Sequence, residues 1–212
     1  TLGNHDFNYG KEELEKYISA LDARCLCANI VGIRGVEKTA IVTLQNGLRV
    51  GLAGVTTHYV KLWEKPENLA GIAVTDAFTA AKEAYDQLKA KADITVCIYH
   101  GGFERDVKTG KVLSDTDENQ GWRICEELGF DILLAGHQHT AAENVRINGT
   151  YTCQPPDKAR QYIKMDVIAD GQITAEQHLM DAGNVTQAKA KALLLPAEKQ
   201  AAAWFDTPMG HL

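Results

Sequence analysis

Two apolar runs of strand length constrain the fold of this chain more than any other feature. Residues 93–99 (DITVCIY) and 130–135 (FDILLA) are nearly continuous in apolar side chains and too short to be helix cores. Strands buried on both faces in an α/β protein have this pattern. Each run follows a helical pattern and leads into a loop of glycine and histidine. The first ends at His100-Gly101-Gly102 and the second at Gly136-His137-Gln138-His139. If the two strands lie side by side, their carboxyl ends share one edge, where open α/β sheets gather their ligands. The histidines are therefore expected to converge.

The remaining pattern fits the same class. Residues 11–22 place Leu14, Tyr17, Ile18 and Leu21 at helical spacing, and a second helix is expected from Thr75, its cap, with Phe78, Ala81, Tyr85 and Leu88 on one face. Residues 25–30 read as one short strand, 59–74 and 103–118 as loops, and 119–128 as a helix. Segments 39–44 and 48–55 flank Asn46-Gly47, the signal of a tight hairpin with positive φ at both central positions. Further hairpins are expected around Asn148-Gly149 and Asp170-Gly171, before a final helix at about residues 185–204. Helix-strand alternation followed by hairpins predicts an α/β fold.

Composition excludes several classes of partner. The chain has 212 residues, 45% of them apolar, enough for a sizeable core. Its net charge of -6 is spread along the sequence, without a basic stripe carrying aromatics, so neither a nucleic acid polymer nor an anionic membrane is an expected partner. No apolar run approaches a membrane span. Five cysteines, odd in number and without C-x-x-C spacing, read as reduced core residues, which leans toward a cytoplasmic setting.

Near the start stands Gly3-Asn4-His5-Asp6: an amide oxygen, an imidazole and a carboxylate able to orient that imidazole. With His100, His137 and His139 it offers nitrogen and oxygen donors and no thiolate, a set suited to Mn, Zn, Fe, Co or Ni. On extended backbone His137 and His139 would share a face, whereas a tight loop would send them to two neighbouring metals. Gly101, Gly102 and Gly136 allow the backbone to aim these rings. His58, His178 and His211 read as ordinary hydrogen-bonded histidines.

These motifs resemble, in order and spacing, the later motifs of the calcineurin-like dinuclear metallophosphoesterases. Phe7-Asn8-Tyr9-Gly10, Ala28-Asn29-Ile30, Gly54-Val55-Thr56-Thr57, Trp63-Glu64-Lys65-Pro66, Glu118-Asn119-Gln120-Gly121 and Asp206-Thr207-Pro208-Met209-Gly210 narrow the resemblance. They look like the bacterial 5'-nucleotidase and 2',3'-cyclic-nucleotide 2'-phosphodiesterase/3'-nucleotidase family. The resemblance implies a sandwich of two mixed β-sheets flanked by helices. It implies Asn4, His100 and His137 as ligands of one metal, His139 as a ligand of its neighbour, His5 as the catalytic histidine at the leaving group, and Asp6 as the residue that orients His5. The implied reaction is hydrolysis of nucleotide phosphoesters by a hydroxide activated between two divalent metals, on a small-molecule nucleotide. The Trp63–Pro66 motif inclines toward the cyclic-phosphodiesterase branch, whose relatives are often exported.

The family's first two motifs, Asp-x-His and Gly-Asp-x-x-Asp, belong upstream of Thr1 and have no counterpart in the chain. Residues 1–184 are accordingly expected to form a catalytic domain incomplete at its N-terminus. Residues 185–212 are expected to be a helix and linker toward a nucleotide-binding domain outside the sequence. In that state at most one metal is well held and turnover is impaired. The alternative is a non-catalytic globular or single-metal-binding module; a relative acting on another ester or a sulfur substrate is a third reading.

Overall fold

The fold, seen in a computed structural model that describes residues 1–168, 172–180 and 188–207, begins with a 3-10 turn, Asn4–Phe7, and helix α1, Gly10–Ala20. The apolar stripe predicted for α1 buries Leu14 and Ile18, whereas Tyr17 and Leu21 stay exposed. Short strands β1 (Cys25–Leu26), β2 (Ile30–Val31) and β3 (Val36–Glu37) follow. Residues 25–30 are thus two strands rather than one: β1 pairs with β3, and β2 pairs elsewhere. The break falls at Asn29. Its fully buried amide donates to the carbonyls of Thr56 and Thr75 and accepts from Thr56 N, so the chain turns there to serve two neighbours.

Strands β4 (Thr39–Thr43) and β5 (Arg49–Thr56) form the expected hairpin, but with a three-residue loop. Gly47 N donates to Leu44 O and Leu44 N to Leu48 O; Gly47, at φ 85°, occupies the left-handed position, while Asn46 accepts from Leu48 N. The segment 59–74, expected to be a loop, contains helix α2 (Val60–Trp63) and strand β6 (Ala73–Val74), which pairs antiparallel with β2. The next helix, α3 (Ala77–Leu88), is capped by Asp76, whose side chain accepts from Thr79 N at 2.7 Å. Thr75 is not the cap: its hydroxyl, like its N–H, donates to Asn29 O.

The two apolar runs become β7 (Ile94–His100) and β8 (Ile132–Ala135), separated by helix α4 (Gly121–Glu127). They are parallel neighbours, with Val96 opposite Ile132 and Tyr99 opposite Ala135. Strands β9 (Ala142–Ile147) and β10 (Thr150–Gln154) turn at Asn148-Gly149, both at positive φ as expected. The resulting sheet has the order β4-β5-β7-β8-β10-β9, with a parallel centre β5-β7-β8-β10 and antiparallel edges. Helices α3 and α4 contribute Phe78, Ala81, Leu88 and Ile124 to a core with Val55, Cys97, Tyr99 and Leu133. On the other side, half-buried Ile98 and Leu134 line a cavity with Tyr162 and Ile163. The latter two lie on β11 (Gln161–Val167), which pairs with β12 (Ile173–Leu179).

The α/β class therefore holds, with a mixed sheet and flanking helices. All five cysteines are buried and free. The chain divides into two compact units, Thr1–His178 and Leu179–Leu212. In the second, helix α5 spans Ala188–Phe205 and contains Pro196. The expected turn at Asp170-Gly171, the first residues of the expected final helix, His211 and the end of the Asp206–Gly210 motif lie outside the described residues.

Candidate functional site

Because β5, β7, β8 and β10 run parallel, their carboxyl ends share one edge of the sheet. Thr56 and His100 are register partners there, Gly136-His137 follows β8, and Pro155-Pro156-Asp157 follows β10. The 3-10 turn Asn4–Phe7 adds Asn4 and His5 to a cavity of about 320 Å³ lined by His100, His137, His139 and Asp157. All five predicted metal-binding and catalytic side chains other than Asp6 line this one cavity.

Three of them converge on a point. Asn4 Oδ1 is 2.9 Å from His100 Nε2 and 3.2 Å from His137 Nδ1, across 96 and 133 positions of sequence. The approach requires Gly3: a Cβ there would stand 2.8 Å from His100 Cε1. Burial first, and the neighbouring His137 second, lower the His100 pKa to about 4. His100 is thus a neutral imidazole near pH 7, the form in which histidine donates a lone pair.

His137 is held from three sides. Glu118 Oε1 lies 3.1 Å from Nε2, Asn4 faces Nδ1, and the Trp63 indole stacks on the ring at 5.4 Å between centroids and 25° between planes. An ionised carboxylate only accepts hydrogen bonds, so Nε2 carries the proton in the neutral ring. Nδ1 then directs a lone pair toward Asn4 Oδ1, a second acceptor. Two acceptors facing each other beside a third donor atom, His100 Nε2, suit a shared cation, and the residues therefore fit a divalent ion.

The loop after β8 takes the tight form. His137 and His139 both have positive φ, 74° and 58°, an uncommon backbone state for residues other than glycine that is typical of functional sites. Gln138 between them is latched to the loop after β7. It accepts from Phe103 N at 2.8 Å and donates to Phe103 O at 2.9 Å, and a Cβ on Gly102 would overlap it. His139 is exposed on the cavity wall and does not join the Asn4 group. Among the described residues no cluster of three or more His, Cys, Asp or Glu side chains forms; the convergent set is two imidazoles and an amide.

Asp6 is where the structure corrects the expectation. Its carboxylate accepts from Gly3 N at 2.7 Å, closing the turn, and is not the partner of His5. The His5 Nδ1 contact is Asn8 Oδ1 at 2.9 Å. Asp6 thus shapes the backbone that carries Asn4 and His5, because the 3-10 turn points residues 5 and 6 in different directions. His58 sits 3.6 Å from Asp76 and His178 stacks on Tyr162, both apart from the Asn4 group, and among the described residues neither His58 Nδ1 nor His178 Nε2 makes the hydrogen bond expected of it.

Residues 1–141 match the family described as Calcineurin-like phosphoesterase. The chain belongs to that family. Calcineurin-like phosphoesterases use divalent metals, in keeping with the donor set at the sheet edge. The chain is 32% identical over 155 residues to the Trifunctional nucleotide phosphoesterase protein YfkN of Bacillus subtilis, a match covering 66% of the chain and 10% of that protein. It is 27% identical over 152 residues to a 2',3'-cyclic-nucleotide 2'-phosphodiesterase/3'-nucleotidase of Salmonella typhimurium, covering 65% and 23%. A crystal structure of a candidate 5'-nucleotidase from Staphylococcus aureus superposes with a TM-score of 0.80 at 28% identity, over 97% of the chain and 42% of that protein. The chain thus spans under half the length of these relatives.

Site residues missed in the sequence reading are Glu118, Trp63 and Asn8. All three lie within motifs that carry the resemblance, but their partners are 19, 74 and 3 positions away, and only Asn8 has a local spacing that would have suggested its contact.

Proposed function

We propose that this chain is the catalytic body of a divalent-metal-dependent phosphoesterase acting on nucleotides, in the cyclic-phosphodiesterase and nucleotidase branch of its family. The observation that carries this reading is the meeting of Asn4 Oδ1, His100 Nε2 and His137 Nδ1 at the carboxyl edge of the parallel strands. Asn4, His100 and His137 would hold one ion, and His139 would serve its neighbour. Ions bound there would supply positive charge and Lewis acidity to a phosphoryl group. Mn, Zn, Fe, Co and Ni all suit these donors.

The protein's own groups do the rest. His5, exposed at the cavity wall, gives a proton to the leaving oxygen, a contribution typically worth about 10²–10⁴-fold. Asp6 keeps the turn closed so that Asn4 and His5 face the same cavity. The catalytic body would lie in the first compact unit, Thr1–His178. A second reading, a module that binds one ion without turnover, is favoured by the single convergent donor set.

The test is metal content per chain together with hydrolysis of bis-p-nitrophenyl phosphate and 2',3'-cyclic AMP under added Mn²⁺. One ion per chain, lost in Asn4→Ala and His137→Ala, with measurable hydrolysis is the expected result. Stoichiometric binding without hydrolysis selects the single-ion module. A chain that binds no divalent ion and hydrolyses neither ester overturns both.

A further inference from the structure

The His5 ring is one end of a hydrogen-bonded chain that leaves the sheet edge and ends in a carboxylate on another segment. His5 Nδ1 lies 2.9 Å from Asn8 Oδ1, and Asn8 Nδ2 donates to Glu64 Oε2 at 2.6 Å, across 56 positions. The other carboxylate oxygen, Glu64 Oε1, accepts from Asn68 Nδ2 and from Lys65 N, each at 2.8 Å. Asn68 Nδ2 also donates to the Asn8 carbonyl at 3.0 Å, so one amide holds both members of the relay.

The polarity of these bonds runs in one direction. A carboxylate accepts and never donates, so Asn8 must turn its NH₂ toward Glu64. Its oxygen is thereby turned toward His5, and an amide oxygen can only accept. His5 must then donate from Nδ1, which leaves Nε2 as the nitrogen that exchanges a proton with a bound molecule. We propose that Glu64 is a positioning residue for His5, acting through the Asn8 amide to hold the ring in its Nδ1–H tautomer. The same orientation serves the protonated ring, whose Nδ1–H still meets Asn8 while Nε2–H is offered to the leaving oxygen. The carboxylate is kept ionised. Burial alone would raise its pKa, but the bonds from Asn68, Lys65 N and Asn8 outweigh this and hold it below the ordinary 4.5. The role expected of Asp6 thus falls to a residue 59 positions from His5, delivered by the segment around helix α2.

The assignment of purpose rests on the reading of His5 as the leaving group's partner; the assignment of geometry does not. The test is nitrogen-detected NMR of the ¹⁵N-histidine-labelled, metal-free chain at about pH 8.5, where imidazoles are neutral, with His5 assigned by its loss in His5→Gln. The wild-type ring should show a protonated Nδ1 and an unprotonated Nε2. Glu64→Gln keeps the shape but adds a donor. Its NH₂ is steered toward Asn8 because the opposite side already faces two donors, Asn68 and Lys65 N. Asn8 must then turn over, and the His5 nitrogen shifts should exchange. The double variant N8D/E64Q, which moves the carboxylate one link closer, should restore the Nδ1–H pattern. A protonated Nε2 in the wild type, an unchanged His5 in E64Q, or no restoration in the double variant each overturns the proposal. Since the measurement needs no metal or substrate, failure of hydrolysis would count against the function proposed above and leave the tautomer result standing.

Discussion

Glu118 Oε1 stands 3.1 Å from His137 Nε2, and Glu118 is itself pinned through its backbone. Its carbonyl accepts from Thr57 Oγ1 at 2.8 Å and from Tyr99 Oη at 3.3 Å, two buried side chains of the sheet edge. The carboxylate therefore reaches His137 from a fixed support, and it determines which ring nitrogen faces Asn4.

That arrangement predicts a loss in metal affinity on Glu118→Ala. Partners that orient a ligating histidine typically contribute about 10–100-fold in affinity or activity. Calorimetric titration with Mn²⁺ should show a weakening in that range, with the unfolding midpoint little changed because the carboxylate is part-exposed. Wild-type affinity in the variant would contradict the role given to Glu118.

The buried amide of Asn29 joins three elements that frame the site edge: the β1–β2 junction, the end of β5 and the start of α3. Asn29→Ala would strand the Thr56 N–H and carbonyl without partners, at about 1–3 kcal/mol for each unsatisfied group. A loss of about 3 kcal/mol is expected in urea unfolding, as a lower midpoint at unchanged slope. A loss below about 1 kcal/mol would show that the clamp is dispensable.

Away from the site, Asp93 pairs with Arg49 through both carboxylate oxygens and also accepts from Arg49 N. The Arg49 side chain foremost, then its backbone N–H, lower the Asp93 pKa from 3.8 to about 2. A carboxylate whose folded pKa is depressed stabilises the fold above its unfolded value and loses that contribution as pH falls toward the folded value. Asp93→Asn should therefore lower stability near neutral pH, and the gap to wild type should close between about pH 4 and pH 2. Chemical denaturation at pH 7 and pH 2.5 measures it; a gap that widens in acid would reverse the assignment. The pair is partly exposed and is expected to weaken with added salt.

Much of the fold was legible in the sequence. The runs that became β7 and β8 could be placed beside each other because strands buried on both faces show apolar continuity, and that prediction brought His100 and His137 to one edge. The Asn148-Gly149 turn was legible for a local reason, since those two residues tolerate positive φ. Where local signals compete, distant contacts decide. Thr75 and Asp76 are both able caps, and which one caps α3 depends on Asn29, 46 positions away from Thr75, drawing the Thr75 hydroxyl and N–H to its own carbonyl.

Residue types and periodicity determined the α/β class, the core, and the candidate donors Asn4, His100, His137 and His139. Tertiary structure decided which acceptor meets which donor. It assigned Asp6 to the backbone of its own turn, Asn8 to His5, Glu64 to Asn8, and Glu118 and Trp63 to His137. The physical reason is that hydrogen-bond polarity is settled only when a group's whole set of neighbours is in place. A carboxylate beside a histidine in sequence is merely available to it, whereas the backbone N–H of Gly3 reached Asp6 first.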